Sequence, residues 1–539
     1  MNRRKFIQRS AMGGATALLG AVASGCAMAS RPGGATARVP PFELEETTIV
    51  ELQRGMASGR FSAVGLARAY LRRIQALDQG GPRLKSVIEL NPDLLAIAQA
   101  LDQERKTKGP RGPLHGVPIL IKDNIATHDA MSTTAGSLAL AGSIAPRDAF
   151  LVQRLRAAGA VLLGKTNLSE WANFRGTRSI SGWSGRGGQT RNPYVLDRSP
   201  SGSSSGSASG VSANLCAASV GTETDGSIVS PASYCGVVGI KPTVGLISRS
   251  GIIPISVSQD TAGPMARTVA DAAALLGAMT GTDAGDPATE LAGGKSHGDY
   301  TPFLEAKALR GSRIGVARNL FKLHRRVDPV MEKALEAMRG EGAILIDPVK
   351  LPSRQDLGDA EHQVMTYEFK AGLNAYLASL GPQAPVTSLA ELIEFNERNG
   401  DLEMPFFGQE TLVEAQGKGP LTEAHYLEAK ARCVKWSRDL DALLDEQRLE
   451  AIVAPTGGPA HTLDLLTGDR GLGGSSNYAA VAGFPNLTVP CGEVCGLPVA
   501  LSFFGRAWSE PKLIAIAYAF EQLTQARKPP RFLPSLELA

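Results

Sequence analysis

The sequence is poor in the residues that hold metals or close disulfides. Aromatic residues make up 5% of the 539 positions, and seven residues are histidine. No histidine lies in a His-Glu-x-x-His arrangement, which argues against a zinc hydrolase of that type. The cysteines show no metal-type pairing and stand at positions 26, 216, 235, 433, 491 and 495. Six cysteines are too few for a fold of this length that depends on disulfides. We expect Cys491 and Cys495 to be free thiols.

The chain also lacks an excess of charge of one sign outside its first residues. The formal charge is +4, and residues 1–29, which contain no acid, supply all of it through Arg3, Arg4, Lys5 and Arg9. A neutral body has no electrostatic footprint for nucleic acid or for an acidic membrane. With 43% hydrophobic and 20% charged residues, the composition is that of a protein with a large core.

Long apolar runs are missing too. Residues 11–25, AMGGATALLGAVASG, are too short and too rich in glycine to span a bilayer. They follow MNRRKFIQRS, whose paired arginines resemble a twin-arginine export signal. We therefore expect residues 1–29 to direct the chain to the periplasm or cell envelope, or into the medium. The alternative is a frayed basic terminus.

Two ways of processing this signal stay open. AMA, ending at Ala29, fits cleavage before Ser30, whereas ASGC resembles a lipobox in which Cys26 would carry a lipid anchor. Ala23 is a weak fit to such a box. In either case residues 30–44 would form a tether before the folded part.

Strand and helix patterns alternate along the rest of the chain. GVPILIKDNI (116–125) and GVVGIKPT (236–243) are apolar runs typical of buried strands. Residues 62–78 place apolar side chains on one helical face, and Thr-x-x-Asp begins a helix at 268–279. This alternation predicts an α/β fold.

The organisation of that fold can also be predicted. We expect one large domain over residues 45–530, with a large mixed central β-sheet flanked by helices on both faces. Residues near 285–430 are more charged and contain long helical spans, which predicts a helical elaboration over the cleft.

The stretch SPSGSSSGSASG (199–210) has the composition of a flexible linker. Strand and helix patterns continue on both sides of it without a shift in charge or hydropathy, which favours a functional loop. Its GSSSG also matches the Gly-x-Ser-x-Gly elbow of α/β-hydrolases, with Ser204 central. That elbow needs an apolar strand before it, and GQTRNPYVLDRSP is loop-like. The pattern therefore favours Ser204 as a supporting hydroxyl.

The segments around this stretch resemble the amidase signature family. That family carries Gly-Gly-Ser-Ser-Gly-Gly-Ser, then Gly-Thr-Asp-x-Gly-Gly-Ser-Ile-Arg, then Gly-Val-Val-Gly-x-Lys-Pro-Thr. The corresponding segments here are SGSSSGS, GTETDGSIV and GVVGIKPT, and GVPILIKDN fits the family's lysine strand. The resemblance covers roughly residues 45–530 and is most like the peptide amidase branch.

The resemblance implies a Ser–cis-Ser–Lys triad. Ser227 would be the nucleophile, Ser203 would bridge it to Lys122, and burial would lower the pKa of the lysine so that it can act as a base. Gly202 would allow a tight turn and Ser204 would support it. The oxyanion hole would be formed by backbone N–H groups of Thr224, Asp225, Gly226 and Ser227.

Three positions depart from the family pattern. The family's Asp is Glu223 here, a Gly is Asp225, and the Arg after Ser-Ile is Val229. Because some relatives use that arginine for a carboxylate, its loss makes a free acid a poor substrate. Outside the motifs, Asn167 and Asp260 are candidates for shaping the pocket, and His115, His461 and Lys241 are expected to be structural.

The implied reaction is hydrolysis of a carboxamide through an acyl-enzyme, with release of ammonia or an amine and without a cofactor or metal. The preferred substrates are C-terminal amides of peptides; a broad aliphatic or aryl amidase and a carbamate hydrolase are alternatives. The amidotransferase component that works on charged tRNA shares the signature, and a catalytically dead binding protein is a third hypothesis. We expect no nucleic-acid partner, no membrane span, and a monomer or homodimer.

Overall fold

A computed structural model describes residues 39–352 and 357–536 of the chain. The predicted export signal at 1–29, including Cys26, lies outside these residues, as does most of the predicted tether.

The strands form one large sheet and one small hairpin. In chain order they are β1 (Val87–Leu90), β2 (Pro118–Lys122), β3 (Val161–Thr166), β4 (Trp183–Ser184), β5 (Gly188–Gln189), β6 (Ala218–Glu223), β7 (Val238–Lys241), β8 (Thr261–Ala266), β9 (Arg313–Val316), β10 (Ile344–Ile346), β11 (Ala451–Pro455), β12 (Asn486–Val494) and β13 (Leu497–Phe504).

The α-helices lie between and around these strands. They are α1 (Ile49–Ala57), α2 (Ala63–Ile74), α3 (Leu94–Lys108), α4 (Phe150–Ala157), α5 (Ser205–Ser212), α6 (Val229–Tyr234), α7 (Val269–Met279), α8 (Asp328–Gly340), α9 (Leu357–Ser379), α10 (Leu389–Arg398), α11 (Gly400–Glu403), α12 (Glu410–Gln416), α13 (Ala424–Glu446), α14 (Ser476–Ala482) and α15 (Glu510–Thr524).

The large sheet is mixed and has 11 strands in the order β1-β3-β2-β6-β8-β7-β12-β13-β11-β9-β10. β2 is parallel to both β3 and β6, whereas β8 is antiparallel to β6 and to β7. Every residue of β2, β3, β6 and β8 is buried. Burial on both faces requires layers on both sides, so the predicted mixed sheet with flanking helices is confirmed.

Local sequence signals account for the helix starts. The Ser62 side chain accepts a hydrogen bond from the N–H of Gly65 at the start of α2, and Thr268 accepts one from Asp271 at the start of α7. These hydroxyls satisfy N–H groups that the first turn of a helix leaves without partners. The helices predicted at 62–78 and 268–279 are confirmed, the first ending as an α-helix at Ile74 and continuing as one π turn.

The charged region after residue 285, for which helices were predicted, also contains two strands. β9 and β10 lie within it and pair in parallel at the edge of the main sheet. Both are short, and β10 is only partly buried, so the alternation that marks a longer strand is weak. The continuous helical layer is formed by α9–α13, and α9 and α13 pack against each other.

A buried ion pair joins this helical layer to the segment that follows β3. Arg175 donates to the Glu170 carboxylate at 2.6 Å and to the carbonyl of Glu403, at the end of α11, at 2.5 Å. All three side chains are inaccessible to solvent. Removing one partner would leave a buried charge uncompensated, so the pair ties the helical layer to the sheet.

The Ser/Gly-rich stretch is a buried part of the fold and not a flexible linker, in agreement with the strand and helix patterns on both sides of it. Its second half is α5, in which every residue is buried. The Ser207 hydroxyl bonds to Thr166 Oγ1 at 2.8 Å, and the Ser209 hydroxyl donates to the carbonyl of Arg191 at 2.9 Å. Small side chains let the helix approach the sheet closely, and their hydroxyls find partners there.

Among the described residues, the cysteines at 216, 235, 433, 491 and 495 are all free thiols, as expected for Cys491 and Cys495. Within the same residues, none of the helices has the length and apolar character that a bilayer crossing needs.

Two glycines one turn apart in α5 provide a test of this close approach. A Cβ at Gly206 would overlap the carbonyl oxygen of Ser86 and lie 2.6 Å from that of Asn167, whereas a Cβ at Gly210 would meet nothing nearer than Leu120 Cδ1 at 3.6 Å. We expect Gly206→Ala to lower the free energy of unfolding by about 1–3 kcal/mol. Gly210→Ala, the matched control, should be neutral or stabilising by up to about 1 kcal/mol, since alanine favours helix.

Urea unfolding of both variants beside the wild type measures the difference. Equal midpoints for the two variants would contradict the close approach at Gly206.

Candidate active site

Topology brings the three predicted catalytic residues to one edge of the sheet. Lys122 is the last residue of β2, and Ser227 lies in the turn between β6 and α6. β2 and β6 are adjacent and parallel, so their carboxyl ends meet at the same edge. Ser203 lies just before α5, the helix that precedes β6. The lysine and both serines therefore lie on segments that are adjacent in space, at the same edge of the sheet.

Lys122 contacts Ser203 directly. Its Nζ donates to Ser203 Oγ at 2.8 Å and to Thr222 Oγ1 at 2.9 Å, with the Thr222 carbonyl oxygen at 3.3 Å. Lys122 and Ser203 are both 0% exposed. The bridge that the motif predicts between this lysine and Ser203 is therefore present as a hydrogen bond.

Burial governs the charge of this lysine. Removal from water disfavours the ammonium form and lowers the pKa of Lys122 to about 7, although the negative charges of Asp260 and Glu223 act in the opposite direction. A lysine with such a pKa is neutral in a large fraction of molecules at neutral pH. Its lone pair can then accept a proton.

Backbone contacts hold Ser203 next to Ser227. The Gly202–Ser203 peptide bond is cis. The N–H of Ser204 donates to the carbonyl of Ser227 at 3.1 Å, and the N–H of Ser169 donates to that of Ser203 at 3.0 Å. A Cβ at Gly202 would overlap the hydroxyl of Ser169, which explains the glycine at this position. Ser227 retains 8% exposure, in contrast to the fully buried Ser203, so Ser227 is the more accessible hydroxyl.

The hydroxyl of Ser204 is engaged with β6. It donates to the carbonyl of Thr222 at 3.0 Å and accepts from the N–H of the same residue at 3.2 Å. Ser204 therefore supports the residue that also contacts Lys122. It does not occupy the exposed turn that a hydrolase elbow requires.

The turn 224–227, which carries the predicted oxyanion-hole groups, is fixed at both ends. At one end, the Thr224 hydroxyl donates to Asp260 at 2.5 Å. At the other, the Glu223 carboxylate accepts the N–H groups of Ile228 at 2.7 Å and Val229 at 3.0 Å. Gly226 adopts a φ of +77°, a left-handed conformation that glycine accommodates without strain.

The role of Glu223 was not predicted from the sequence, where the residue stood only as a departure from the family pattern. Its carboxylate caps the first N–H groups of α6. Burial raises its pKa, while the charge of Lys241 lowers it. The sequence could have revealed this role, because Glu223 stands five residues before Ile228, at the start of a helix. A long acidic side chain can reach the first N–H groups of the helix from there.

A cavity of ≈ 260 Å³ opens beside this turn. Apolar residues 252–255 form one wall, and Asn124, Thr222, Thr224 and Asp260 supply polar atoms. Asn124 Nδ2 donates to Thr222 Oγ1 at 3.0 Å, whereas its buried Oδ1 has no partner within the described part of the chain. Such an oxygen can accept a hydrogen bond from a substrate N–H. Asn124 is a candidate binding residue that sequence reasoning missed, although it stands two positions after the lysine.

The other residues singled out in the sequence divide between the site and the scaffold. Asp260 lines the cavity, as expected, whereas Asn167 holds the β4–β5 region through Gly188 at 2.9 Å and lies outside the cavity lining. Lys241 donates to the carbonyl of Phe484 at 2.7 Å, and His115 bonds to that of Leu101 at 3.0 Å; both are buried scaffold contacts. His461 lies 3.2 Å from Asp469.

Metal ligands do not cluster in this part of the molecule. Within residues 39–352 and 357–536, no group of three or more His, Cys, Asp or Glu side chains is arranged to hold a metal ion.

The chain is similar to known amidases in sequence and in structure. A model of the amidase family matches residues 65–514. A probable amidase of Arabidopsis thaliana is 43% identical over 502 residues, covering 91% of this chain and 93% of that protein. The crystal structure of the native peptide amidase of Stenotrophomonas maltophilia has a TM-score of 0.87 and 54% identity, covering 91% of this chain and 100% of that one.

A third relative has a different activity in its name. A glutamyl-tRNA(Gln) amidotransferase component of Chloroflexus aurantiacus is 36% identical over 498 residues, covering 90% of this chain and 98% of that protein. The range matched by the family model includes Lys122, Ser203 and Ser227.

The depressed pKa of Lys122 has a consequence for stability. The folded pKa is about 7 and the reference value is 10.5, so between these values the unfolded chain binds the extra proton and stability rises with pH. We expect the free energy of unfolding of the wild type to rise relative to that of Lys122→Met, by at most about 1.4 kcal/mol per pH unit. Urea unfolding at several pH values from 7 to 9.5 measures this, and parallel curves for the two proteins would contradict the buried, neutral lysine.

Proposed function

Since the chain belongs to the amidase family, and is therefore an enzyme that hydrolyses carbon–nitrogen bonds, we propose that it removes the terminal amide from C-terminally amidated peptides. The observation that carries this proposal is the 2.8 Å contact of a buried Lys122 with Ser203, next to the turn that bears Ser227. The 54% identity to the peptide amidase of Stenotrophomonas maltophilia supports the choice of substrate.

The first half of the proposed reaction forms an ester. Ser227 Oγ attacks the carbonyl carbon of the amide, its proton moves to Ser203 Oγ, and the proton of Ser203 moves to Nζ of Lys122. The carbonyl π electrons shift onto oxygen. When the tetrahedral intermediate collapses, the C–N bond breaks and the proton passes from Lys122 through Ser203 Oγ to the leaving nitrogen, which departs as ammonia or an amine.

The second half regenerates the enzyme. Water attacks the ester carbonyl and gives one proton to Lys122 through Ser203. Collapse then breaks the bond to Ser227 Oγ, which recovers a proton as the carboxylic acid leaves. In both halves the N–H groups of Thr224, Asp225, Gly226 and Ser227 would stabilise the oxyanion, at about 3 kcal/mol for each well-placed donor.

The charges around the cavity support a neutral amide over a free acid. Among the described residues that line the cavity, Arg249 is the only cation, and it pairs with Asp286 at 2.5 Å. Val229 stands where the pattern of the family that this chain resembles has an arginine. Asp260 adds negative charge to the same wall, so a substrate carboxylate would be repelled there, while the one lining cation is already paired with Asp286.

The amidotransferase similarity is the basis of a second candidate function, transfer of ammonia to charged tRNA. That activity would need RNA and further protein partners. The neutral body of the chain offers no electrostatic footprint for RNA, so hydrolysis is the preferred proposal.

Ammonia release from a panel of amides tests the reaction and the substrate class together. The panel contains a C-terminally amidated dipeptide, an aliphatic amide, an aryl amide and a carbamate. We expect the dipeptide amide to be the best substrate, and Ser227→Ala, Ser203→Ala and Lys122→Ala each to lose at least about 10³-fold in kcat/KM. Turnover should rise with pH through the pKa of Lys122, about 7, because the base must be neutral.

Ser204→Ala is the matched control within the same loop. It should keep measurable turnover, because among the described residues its hydroxyl hydrogen-bonds to the backbone of Thr222 and not to Lys122 or Ser227. Turnover of the other amides but not of the dipeptide would overturn the peptide-amide proposal. Loss of all activity in Ser204→Ala, with Ser227→Ala active, would instead assign the nucleophile to Ser204.

We also propose that residues 1–29 export the folded enzyme by the twin-arginine route. In a bacterial host, replacing Arg3 and Arg4 together with lysine should move the activity from the envelope or medium to the cytoplasm. Cys26→Ser should release envelope-bound enzyme if that cysteine is lipidated. Unchanged fractionation of the double lysine variant would overturn the export proposal.

A further inference from the structure

Asp260 lies where the cavity wall meets the turn that carries Ser227. We propose that Asp260 is a positioning residue for amide hydrolysis: its carboxylate holds Thr224 in place at the start of the oxyanion turn, and its negative charge acts on Lys122. The inference rests on the proposed catalytic role of this turn and of Lys122, but not on the choice of a peptide amide as substrate.

The carboxylate of Asp260 joins two segments through three hydrogen bonds. Oδ1 accepts from the Thr224 hydroxyl at 2.5 Å, and Oδ2 accepts from the N–H groups of Ile255 at 2.8 Å and Ser256 at 2.9 Å. One oxygen therefore holds the side chain of Thr224 and the other holds the backbone of the cavity wall. A shift of Asp260 would move the cavity wall and Thr224 together.

The neighbouring residue holds the same threonine from its other side. Gln259 Nε2 lies 3.4 Å from the carbonyl oxygen of Thr224 and donates to Glu361 Oε1, on α9, at 2.8 Å. Thr224 is thus contacted at its hydroxyl and at its carbonyl by consecutive residues. This double contact fixes the orientation of the peptide unit that follows Thr224, which begins the oxyanion turn.

The loop that bears these two residues is itself anchored to the helical layer. Glu368, on α9, accepts hydrogen bonds from the Ser256 hydroxyl at 2.6 Å and from the N–H of Ser258 at 2.9 Å. Tyr426, on α13, donates to the same carboxylate at 2.7 Å. The loop 255–260 therefore anchors Thr224 to the helices α9 and α13.

The negative charge of Asp260 is the second part of its proposed role, because it acts on Lys122. Lys122 is influenced by two acids, Asp260 and Glu223, which both raise its pKa against the larger effect of burial. Asp260 in turn faces the cation Arg249, which pairs with Asp286. Lys122 bonds to Thr222, which lines the same cavity as Asp260. Burial raises the pKa of Asp260 to about 6, so most of Asp260 is ionised above neutral pH. Removal of its charge should therefore lower the pKa of Lys122.

Three variants separate position from charge, with the panel amide that the wild type turns over fastest as the substrate. Asp260→Ala removes the hydrogen bonds and the charge, and we expect kcat to fall on the order of 10²-fold with little change in KM. Thr224→Val removes the same contact from the other side and should lower kcat without moving the pH profile. In Asp260→Asn the amide oxygen can still accept from the two backbone N–H groups, and the amide NH2 can donate to the Thr224 hydroxyl oxygen, which reverses that hydrogen bond. The acidic limb of its kcat/KM profile should shift to lower pH.

Asp271→Asn is the matched control. Asp271 is also a buried aspartate with a pKa of about 6, but it bonds to the N–H of Ile49 far from the cavity. It should leave the limb and kcat unchanged. Thermal unfolding of every variant verifies that each is folded at the assay temperature.

The outcomes are distinct. A kcat for folded Asp260→Ala close to that of the wild type would overturn the positioning role, and an unshifted limb in Asp260→Asn would overturn the charge role. Because the substrate is whichever amide is turned over, a failure of the peptide-amide proposal leaves this test intact. If Lys122→Ala is as active as the wild type, the proposed base is wrong, and the charge role of Asp260 falls with it.

Discussion

The amine of Lys122 is held in a site without solvent, where its charged form is disfavoured and its neutral form has hydrogen-bonding partners. Ser203 and Thr222 supply those partners within 3 Å, and β2, β6 and α5 exclude the water. An exposed lysine has a pKa far above neutrality and cannot serve as a base there. The close packing of small residues in α5 is thus a requirement of the chemistry as much as of the core, because a looser helix would admit water to the amine.

The sequence allowed several elements and the contact of Lys122 with Ser203 to be predicted, but for different physical reasons. The helix 269–279 followed from its cap and apolar periodicity, which are local. The proximity of Lys122 to Ser203 followed from a family resemblance, since no local property connects residues so far apart. β10 was missed because a short, partly exposed strand has little periodicity.

Long-range side-chain contacts were the part of the site that composition and spacing did not reveal. Glu223 looked like a conservative departure, yet its carboxylate reaches forward to cap α6. Asp260 stood as a candidate for shaping the pocket, but its bond to Thr224 depends on the antiparallel pairing of β6 with β8, which places Glu223 opposite Thr261. Such contacts depend on register, and register is set by the whole sheet.

The hydrogen bonds of Lys122 to Ser203 and Thr222 join residues separated by 81 and 100 positions. Until those long loops have closed and the sheet has formed around it, the lysine stays in water with an ordinary, high pKa. The chain therefore carries no activated serine while it is being synthesised or when it is unfolded. Under the proposed mechanism, completion of the core is therefore the step that gives Ser227 its base, because only then is the pKa of Lys122 lowered.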